Sequence, residues 1–426
     1  MVSARRAVPR FEDPQRYRFA GAMEGVPEIS TAAAPQVSRL RALGHAALDA
    51  AARVLPGAAL AGLLAFAAVA ASDWIGIACL GTAQSPVPPA LVAIGLGLAI
   101  RNAIGLPTAY DAGLRFCVQR VLRIGVALLG LRLSLAAVGG IGLAALPIVT
   151  ACIATALALV ALVTRWLGLP ARLGTLIAVG TAICGNSAIA ATGPAIGARD
   201  DEVSYAVGCV TLFGLFALLI YPFLSRSLFG GDPRLAGLFL GAAIQDTAQV
   251  AGAGMLAAEH WGGGSVLETA AVTKLLRNAF MIAVVPGMAW WHHHPRWSSL
   301  ACGSRREHPR SLREACAPGA RLRVPRFTQA VPWFVLGFLA LALLRTLGDL
   351  GGDAPFAGSI SGAAWQRVLA SGQSLSAASL ALAMAAIGLG TNLRELRGLG
   401  LRPLAVGLAA ALATGAVATA MIKLIA

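Results

Sequence analysis

The chain has 426 residues, of which 57% are hydrophobic and only 12% are charged. Soluble domains carry about 25% charged residues, so this composition excludes an ordinary soluble protein. The apolar runs are continuous rather than alternating, which argues against a membrane barrel and predicts an all-α, polytopic helical membrane protein.

The net charge of +15 comes mainly from basic residues in the loops between apolar runs. This distribution follows the positive-inside rule, so we interpret it as a topology signal and expect no nucleic-acid partner. Residues 1–45 are rich in arginine and contain no apolar signal segment, which predicts a cytoplasmic tail. Residues 46–426 are expected to form a transmembrane transporter domain in contact with membrane lipid.

Apolar runs of about 20 residues, long enough to cross a bilayer, recur along the chain. We predict about eleven transmembrane helices, in chain order 55–72, 88–104, 121–139, 143–163, 174–197, 203–224, 235–258, 266–290, 331–348, 372–391 and 404–425.

The predicted loops alternate in charge, as the positive-inside rule requires. Inside loops carry arginines such as Arg115 and Arg120, and the longest of these loops, 291–330, is strongly basic. Outside loops, including the short loop 140–142, contain few Lys or Arg residues. The alternation predicts a multi-pass protein of the bacterial inner membrane with a cytoplasmic N-terminus and a periplasmic C-terminus.

Two segments that lie 258 residues apart resemble each other. Their matched positions are Ala127, Gly130, Leu131, Leu135, Gly140, Gly142, Leu143 and Leu146, paired in order with Ala385, Gly388, Leu389, Leu393, Gly398, Gly400, Leu401 and Leu404. Because the first copy would run outward and the second inward, the match predicts an inverted repeat, which many secondary transporters combine with broken helices. Chance similarity in a sequence rich in Ala, Leu and Gly is the alternative.

The fifth predicted span is interrupted by small and polar residues between Gly180 and Gly193. Such a segment can unwind at the middle of the membrane and direct the backbone N–H groups of a half-helix at an oxyanion. Asn186 and Ser187 are therefore candidate substrate ligands. The alternative is close helix packing, with the hydroxyl groups bonded inside the bundle.

The seventh predicted span carries Gln245, Asp246, Thr247 and Gln249 near its centre. An ionised carboxylate at that depth costs about 3 kcal/mol on insertion scales, so it faces a partner or a water-filled cavity. Asp246 is a candidate coupling group that takes up a proton, or that ligates Na⁺ together with the neighbouring side-chain oxygens. A static ion pair within the bundle is the alternative.

The eighth predicted span carries Lys274, Arg277 and Asn278, whose spacing of three and four residues puts them on one helix face. Their donors and positive charge suit an oxyanion, and Lys274 is also a candidate partner of Asp246. Interhelical pairing or a topology signal is the alternative.

Residues 388–392 and their repeat counterpart 130–134 are polar turns flanked by glycine. Thr391 and Asn392 are candidate substrate contacts or hinge residues, and a plain helix end is the alternative. No metal site is predicted. The chain lacks the GxSxG, HExxH and P-loop signatures, so we predict that it is not an enzyme.

Short motifs carry a resemblance to a known family: LLGLRLSL (128–135), GTAICGNSAIAA (180–191), QDTAQVAGAG (245–254), TKLLRN (273–278) and GLGTNL (388–393). In this order they resemble the YeiH-type family of bacterial inner-membrane proteins, whose assigned function is sulfate export. The resemblance implies an inverted-repeat transporter with an elevator-like core and crossing broken helices. Where that family shows His-Glu, this chain has Gln245 and Asp246, which keep the acid and lack the imidazole.

The residues and the resemblance together predict a secondary transporter of a small anion, such as sulfate, sulfite or an organosulfonate, that works by alternating access. Asp246 would couple transport to H⁺ or Na⁺, and we expect no other cofactor. A passive anion channel or facilitator and a membrane-embedded sensor without transport are the alternatives. The sequence leaves homodimerisation open.

Overall fold

The computed structural model describes residues 36–75, 89–261, 265–293, 333–350, 361–392 and 401–425. Within these ranges the regular elements are all helical, which confirms the predicted all-α class. The chain divides into two compact units, Met1–Ala51 and Ala52–Ala426, and the second contains all the polar segments discussed below. Most of the predicted tail 1–45 and of the predicted basic loop 291–330 lies outside the described residues.

The α-helices are numbered in chain order. They are α1 Gln36–Trp74, α2 Pro89–Ala103, α3 Asp111–Phe116, α4 Leu122–Leu128, α5 Leu135–Trp166, α6 Ala171–Ala182, α7 Asn186–Ala195, α8 Asp200–Phe229, α9 Pro233–Ala243, α10 Thr247–Trp261, α11 Ser265–Ala279, α12 Met281–His293, α13 Trp333–Leu350, α14 Gly362–Gly390 and α15 Leu401–Ile425. A π-helical turn, Cys117–Val121, joins α3 to α4, and a 3₁₀ turn, Leu129–Arg132, follows α4.

Six helical segments in the described part of the chain are long and apolar enough to cross a membrane: Ala51–Trp74, Leu135–Trp166, Asp201–Phe229, Ser265–His292, Gly362–Gly390 and Leu401–Ile425. Pro89–Ala103 and Ala171–Ala182 are shorter apolar helices. These helices confirm a membrane protein. The count of eleven spans stays a prediction, because some of the predicted spans consist of two short helices.

The predicted boundary between the third and fourth spans is wrong. The sequence suggests an outside loop at 140–142, but α5 runs through these residues. Glycine is common in membrane helices, so the glycines there do not end the helix. The chain breaks at 133–134 instead, where the Ser134 hydroxyl accepts a hydrogen bond from the Ala137 N–H at 3.2 Å and caps the start of α5.

The helical segment before this break begins earlier than the sequence suggests. α3, the π-helical turn, α4 and the 3₁₀ turn follow one another without interruption from Asp111 to Arg132, and we call this segment the 111–132 helix. Arg115 and Arg120 were expected in an inside loop. They lie within the 111–132 helix instead, with exposed side chains.

Two of the predicted spans are helices broken at buried segments, and a third, 266–290, is divided into α11 and α12 at Phe280. The span 174–197 is divided into α6 and α7 at residues 183–185, and the span 235–258 is divided into α9 and α10 at residues 244–246. Both breaks are buried, since Ile183 and Ile244 have no exposed surface. The broken helices therefore place four half-helix ends inside the fold.

Matched glycines of the predicted repeat make matched contacts. A Cβ atom added at Gly130 would lie 2.3 Å from the carbonyl oxygen of Phe338 on α13, and one added at Gly388 would lie 2.5 Å from the carbonyl oxygen of Ile94 on α2. The two copies also pack on each other, α4 against α14 and α5 against α15. These contacts support the repeat, and the opposed orientation of its copies stays a prediction.

Two glycines bring α9 close to α11, the helix that carries Lys274 and Arg277. A Cβ atom added at Gly237 would lie 2.5 Å from Cβ of Thr269, and one added at Gly241 would lie 2.6 Å from the carbonyl oxygen of Ala270. Small residues allow helix backbones to approach in this way inside a membrane. The approach fixes α11 beside the break between α9 and α10.

Gly388→Ala should destabilise the protein, because its methyl group would overlap the α2 backbone, and overpacking costs about 1–3 kcal/mol. Gly390→Ala is the matched control on the same helix, since no atom lies within 4 Å of the added Cβ position. Thermal unfolding in detergent measures the difference. Equal melting temperatures for the two variants would contradict the close approach of α2 and α14.

Candidate functional site

The two helix breaks lie side by side, and a single side chain contacts both of them. Lys274 on α11 donates hydrogen bonds from Nζ to the carbonyl oxygens of Ile183 at 2.8 Å and Ile244 at 2.9 Å, and also to that of Gln245. An ammonium group has three N–H donors, so all of them are used. The Lys274 side chain has no exposed surface.

Arg277, one turn further along α11, binds the same two helix ends. Its Nε donates to the carbonyl oxygen of Ala182 at 2.7 Å and its Nη2 to that of Thr181, both at the end of α6. Its Nη1 donates to the carbonyl oxygens of Ala242 at 2.6 Å and Ile244 at 3.1 Å, at the end of α9. Arg277 is also fully buried.

These hydrogen bonds supply partners for the last carbonyl groups of α6 and α9. The last carbonyl groups of a helix have no partner within it, and the helix dipole places about half a negative charge there. Lys274 and Arg277 satisfy the carbonyls and oppose that charge, which joins the two broken helices at their C-terminal ends. Among the described residues, no carboxylate forms an ion pair within 4.0 Å of either cation.

Asp246 lies at the N-termini of the other two half-helices, α7 and α10. Its Oδ1 accepts a hydrogen bond from the Ala248 N–H at 2.9 Å, and its Oδ2 lies beside Gly185, the residue that precedes α7. Helix N-termini favour negative charge because their first N–H groups are free and the dipole is positive there. Asp246 therefore caps α10 and lies against the N-terminus of α7, where a bound anion would lie.

Gly185 permits this arrangement. Its φ angle of +63° lies in the left-handed region, which favours glycine. A Cβ atom added there would also lie 2.9 Å from Oδ2 of Asp246, too close for the carboxylate to keep its place.

Amide and hydroxyl groups connect Asp246 to α8. Gln249 accepts a hydrogen bond at Oε1 from the Asp246 N–H at 3.3 Å, and its Nε2 donates to the carbonyl oxygen of Thr211 at 3.2 Å. The Thr211 hydroxyl donates to Oδ1 of Asn186 at 3.4 Å. The N-termini of α7 and α10 are thus linked through one polar network.

Some buried polar atoms beside this network have no partner among the described residues. Asn278 donates from Nδ2 to Oγ1 of Thr247 at 3.2 Å, whereas its Oδ1 is unpaired. The side chain of Gln245 is 1% exposed, and neither atom of its amide group makes a hydrogen bond. Unpaired buried polar groups are rare because they are costly, so these atoms mark places for water or a ligand.

The two helix breaks, 183–185 and 244–246, together with the four half-helix ends beside them, form what we call the crossing, and it is partly exposed. Asn186 and Ser187, in the first turn of α7, are exposed, and Asp246 and Thr247 are partly buried. The polar groups at this surface are side-chain oxygens and N–H groups. Within the described ranges, no group of three or more His, Cys, Asp and Glu side chains is arranged to hold a metal ion.

Thr391 and Asn392 lie at the end of α14, and the contacts of Thr391 lead to α2. The Thr391 carbonyl oxygen accepts a hydrogen bond from Nδ2 of Asn102 at 3.1 Å, and its hydroxyl donates to the carbonyl oxygen of Ile387 at 2.7 Å. These are contacts of a helix end. They tie Thr391 to α2 rather than to the crossing.

One residue of the polar network was missed by the sequence reasoning. Thr211 is one of several hydroxyl-bearing residues in α8, and nothing in the sequence distinguishes it from the others.

The comparisons with known proteins give one consistent result. The model of the family described as Conserved hypothetical protein 698 matches residues 61–407. A UPF0324 membrane protein of Agrobacterium fabrum is 31% identical over 307 residues, which cover 72% of this chain and 76% of the relative. One of Streptococcus pyogenes serotype M18 is 32% identical over 346 residues, covering 81% and 89%. No solved structure gives a significant match.

Lys274→Met should lower the stability of the protein, because the ends of α6 and α9 lose three hydrogen bonds. Each buried group left unsatisfied costs about 1–3 kcal/mol, so we expect a large fall in melting temperature. Lys423→Met, at an exposed lysine in the last turn of α15, is the control and should melt like the wild type. A Lys274→Met variant as stable as the control would contradict the capping role.

Proposed function

The chain belongs to the YeiH-type family, described as Conserved hypothetical protein 698, and we propose that it is a secondary transporter of a small oxyanion. Transport proceeds by alternating access, with Asp246 as the coupling group. Sulfate, sulfite and organosulfonates are the candidate substrates. The proposal includes a location in the bacterial inner membrane, with a cytoplasmic N-terminus and a periplasmic C-terminus, because the loop charges follow the positive-inside rule.

The observation that carries this proposal is the convergence of the α7 and α10 N-termini on Asp246. In secondary transporters, the half-helix N-termini of discontinuous helices face anionic substrate groups. Here the N–H group of Ala248 donates to the Asp246 carboxylate, and the other carboxylate oxygen lies beside Gly185 at the start of α7. An ionisable side chain inside a membrane protein is costly, so its presence beside an accessible surface favours a functional role over a purely structural one.

Asp246 and a substrate anion compete for the same N–H groups. Two unit negative charges about 4 Å apart repel by about 4 kcal/mol at an effective dielectric constant of about 20. Protonation of Asp246 removes this repulsion and releases the N–H groups to the substrate. The anion and a proton are therefore expected to bind together, which makes the protein an anion–proton symporter.

Lys274 and Arg277 act in this mechanism as fixed charges rather than as substrate ligands. Their donors are bound to backbone carbonyls, and the substrate has no need to displace them. Their charge lowers the cost of bringing an anion to the crossing. Their hydrogen bonds hold α6 and α9 together, so the crossing moves as one piece while the site changes its access.

Sodium coupling would use Asp246 differently. The ionised carboxylate would ligate Na⁺ with side-chain oxygens such as those of Asn186 and Thr247. Na⁺, rather than a proton, would then neutralise the negative charge of Asp246. A passive channel needs no coupling group, and its flux would not follow either gradient. The two alternatives are therefore separated by the gradient that drives transport.

Asp246→Asn tests the coupling role, because it removes the ionisable group and keeps the side-chain shape. Purified wild-type protein in liposomes should accumulate radiolabelled sulfate or sulfite when a proton gradient is imposed. In Asp246→Asn this accumulation should fall to the level of empty liposomes. Asp232→Asn is the matched control, since Asp232 is an exposed N-cap of α9 and Asn caps equally well.

Each outcome decides one part of the proposal. Accumulation driven by a Na⁺ gradient and lost in Asp246→Asn would replace the proton by Na⁺. Flux in Asp246→Asn equal to that of the wild type would contradict the coupling role. Wild-type flux that follows neither gradient would indicate a channel, and no accumulation of either anion would remove both as substrates.

A further inference from the structure

The helices of the membrane domain pack in two groups. In the first, α14 packs on α2 and on the 111–132 helix, which also packs on α13, and we call these helices the α2 group. In the second, α5 to α12 and α15 pack together around the two helix breaks, and we call them the crossing group. The two groups meet mainly where α10 lies against α2 and α14 and where α5 begins beside α13.

One buried ion pair joins the two groups. Arg132, at the end of the 111–132 helix, donates from Nη1 to Oε1 of Glu268 in the first turn of α11 at 2.9 Å. The Glu268 side chain is 7% exposed and that of Arg132 is 27% exposed. Every other ion pair in the described part of the chain lies within one group, so Arg132 and Glu268 alone connect the groups in this way.

Each partner of this pair is fixed to its own group. Beside Arg132, a Cβ atom added at Gly372 on α14 would lie 2.5 Å from Cδ1 of Leu131. On the other side, a Cβ atom added at Gly237 on α9 would lie 2.8 Å from the carbonyl oxygen of Val266, in the first turn of α11. The distance between the two charges therefore follows the relative position of the two groups of helices.

The chain passes from one group to the other directly after Arg132. Leu133 is extended, with φ −122° and ψ 140°, and Ser134 is extended as well, with φ −78° and ψ 158°. A few residues at the ends of rigid helices are enough to absorb a hinge motion. The ion pair therefore lies beside a linker that allows the groups to move against each other.

The hydrogen bonds of this pair differ from those of a permanent brace. Nε of Arg132 and Oε2 of Glu268 are buried and have no partner among the described residues. Arg277, which joins α6 to α9, uses Nε and both Nη atoms on backbone carbonyls. A buried ion pair repays its desolvation only when its remaining polar atoms are satisfied, so the pair of Arg132 and Glu268 adds little net stability and can separate.

We propose that Arg132 and Glu268 form a latch. The latch holds the crossing group against the α2 group in the conformation seen here, and it parts when the crossing group moves. The inference rests on the proposed function, because alternating access is the motion that the latch controls. Glu268 lies about 9 Å along α11 from Lys274, towards the end that the loop charges assign to the periplasm, so the latch controls access from that side.

A covalent lock tests the latch directly. Arg132→Cys/Glu268→Cys removes both charges together, which leaves no unpaired buried charge and is often tolerated. Cross-linking the two thiols with a reducible bifunctional reagent should lower sulfate or sulfite accumulation to the level of empty liposomes, and reduction of the cross-link should restore it. Mass spectrometry measures the cross-linked fraction.

Arg101→Cys/Asp111→Cys is the matched control, because this ion pair of 3.3 Å joins α2 to α3 within the α2 group. Its cross-link should leave accumulation unchanged. The monofunctional form of the reagent, acting on Arg132→Cys/Glu268→Cys, should also leave accumulation unchanged, since it adds bulk without a bridge.

A second measurement needs no transport. Genetically encoded spin labels are placed at the exposed positions Leu143 on α5 and Leu350 on α13, one in each group, and pulsed electron paramagnetic resonance measures their separation. Arg132→Met/Glu268→Met should shift the distance distribution, because the groups are no longer latched. The reversed pair, Arg132→Glu/Glu268→Arg, keeps both charges and should keep the native distribution.

The outcomes separate the latch from the proposed function. Accumulation that is unchanged by the cross-link would overturn the latch and leave transport standing. A wild-type protein that accumulates neither anion would overturn transport for these substrates, and the label distances then decide the latch, as they do if the cysteine variant does not fold. A shifted distribution in Arg132→Met/Glu268→Met supports the latch, and an unchanged one overturns it.

Discussion

Two broken helices end inside this protein, and their last carbonyl groups have no partner within their own helices. Lys274 and Arg277, from one face of α11, bind both ends at once. The close packing of α9 on α11 depends on Gly237 and Gly241, and it brings these cations into reach. Without the two cations, the C-terminal ends of α6 and α9 would carry unsatisfied carbonyls and repelling partial charges. The crossing, and with it the site, follows from this one set of hydrogen bonds.

The other two half-helices are positioned by the same crossing. Once α6 and α9 are joined, the N-termini of α7 and α10 converge, and Asp246 lies at the point of convergence. In the proposed mechanism, this carboxylate is a resident anion that a proton neutralises, and Lys274 and Arg277 are fixed charges beside it. That mechanism links substrate, proton and fixed charge through electrostatics in a site of few residues.

The sequence predicted the all-α class and broken helices, and it drew attention to most of the polar residues that lie at the two breaks, because charges and amides stand out in apolar runs. It could not show what Lys274 and Arg277 bind, since their partners are backbone carbonyls that lie about 30 to 95 residues away along the chain. It misplaced the start of α5, because a single Ser134 hydroxyl sets that boundary rather than the glycines that follow.

The most direct test of this account is the number of protons taken up when an anion binds. Sulfate is titrated into the purified protein near pH 7 by calorimetry in buffers of different ionisation enthalpy, which reports the protons exchanged per anion bound. The account predicts uptake of up to about one proton per sulfate in the wild type and none in Asp246→Asn, because proton binding and anion binding are linked at that carboxylate. Sulfate binding without proton uptake in the wild type would contradict it.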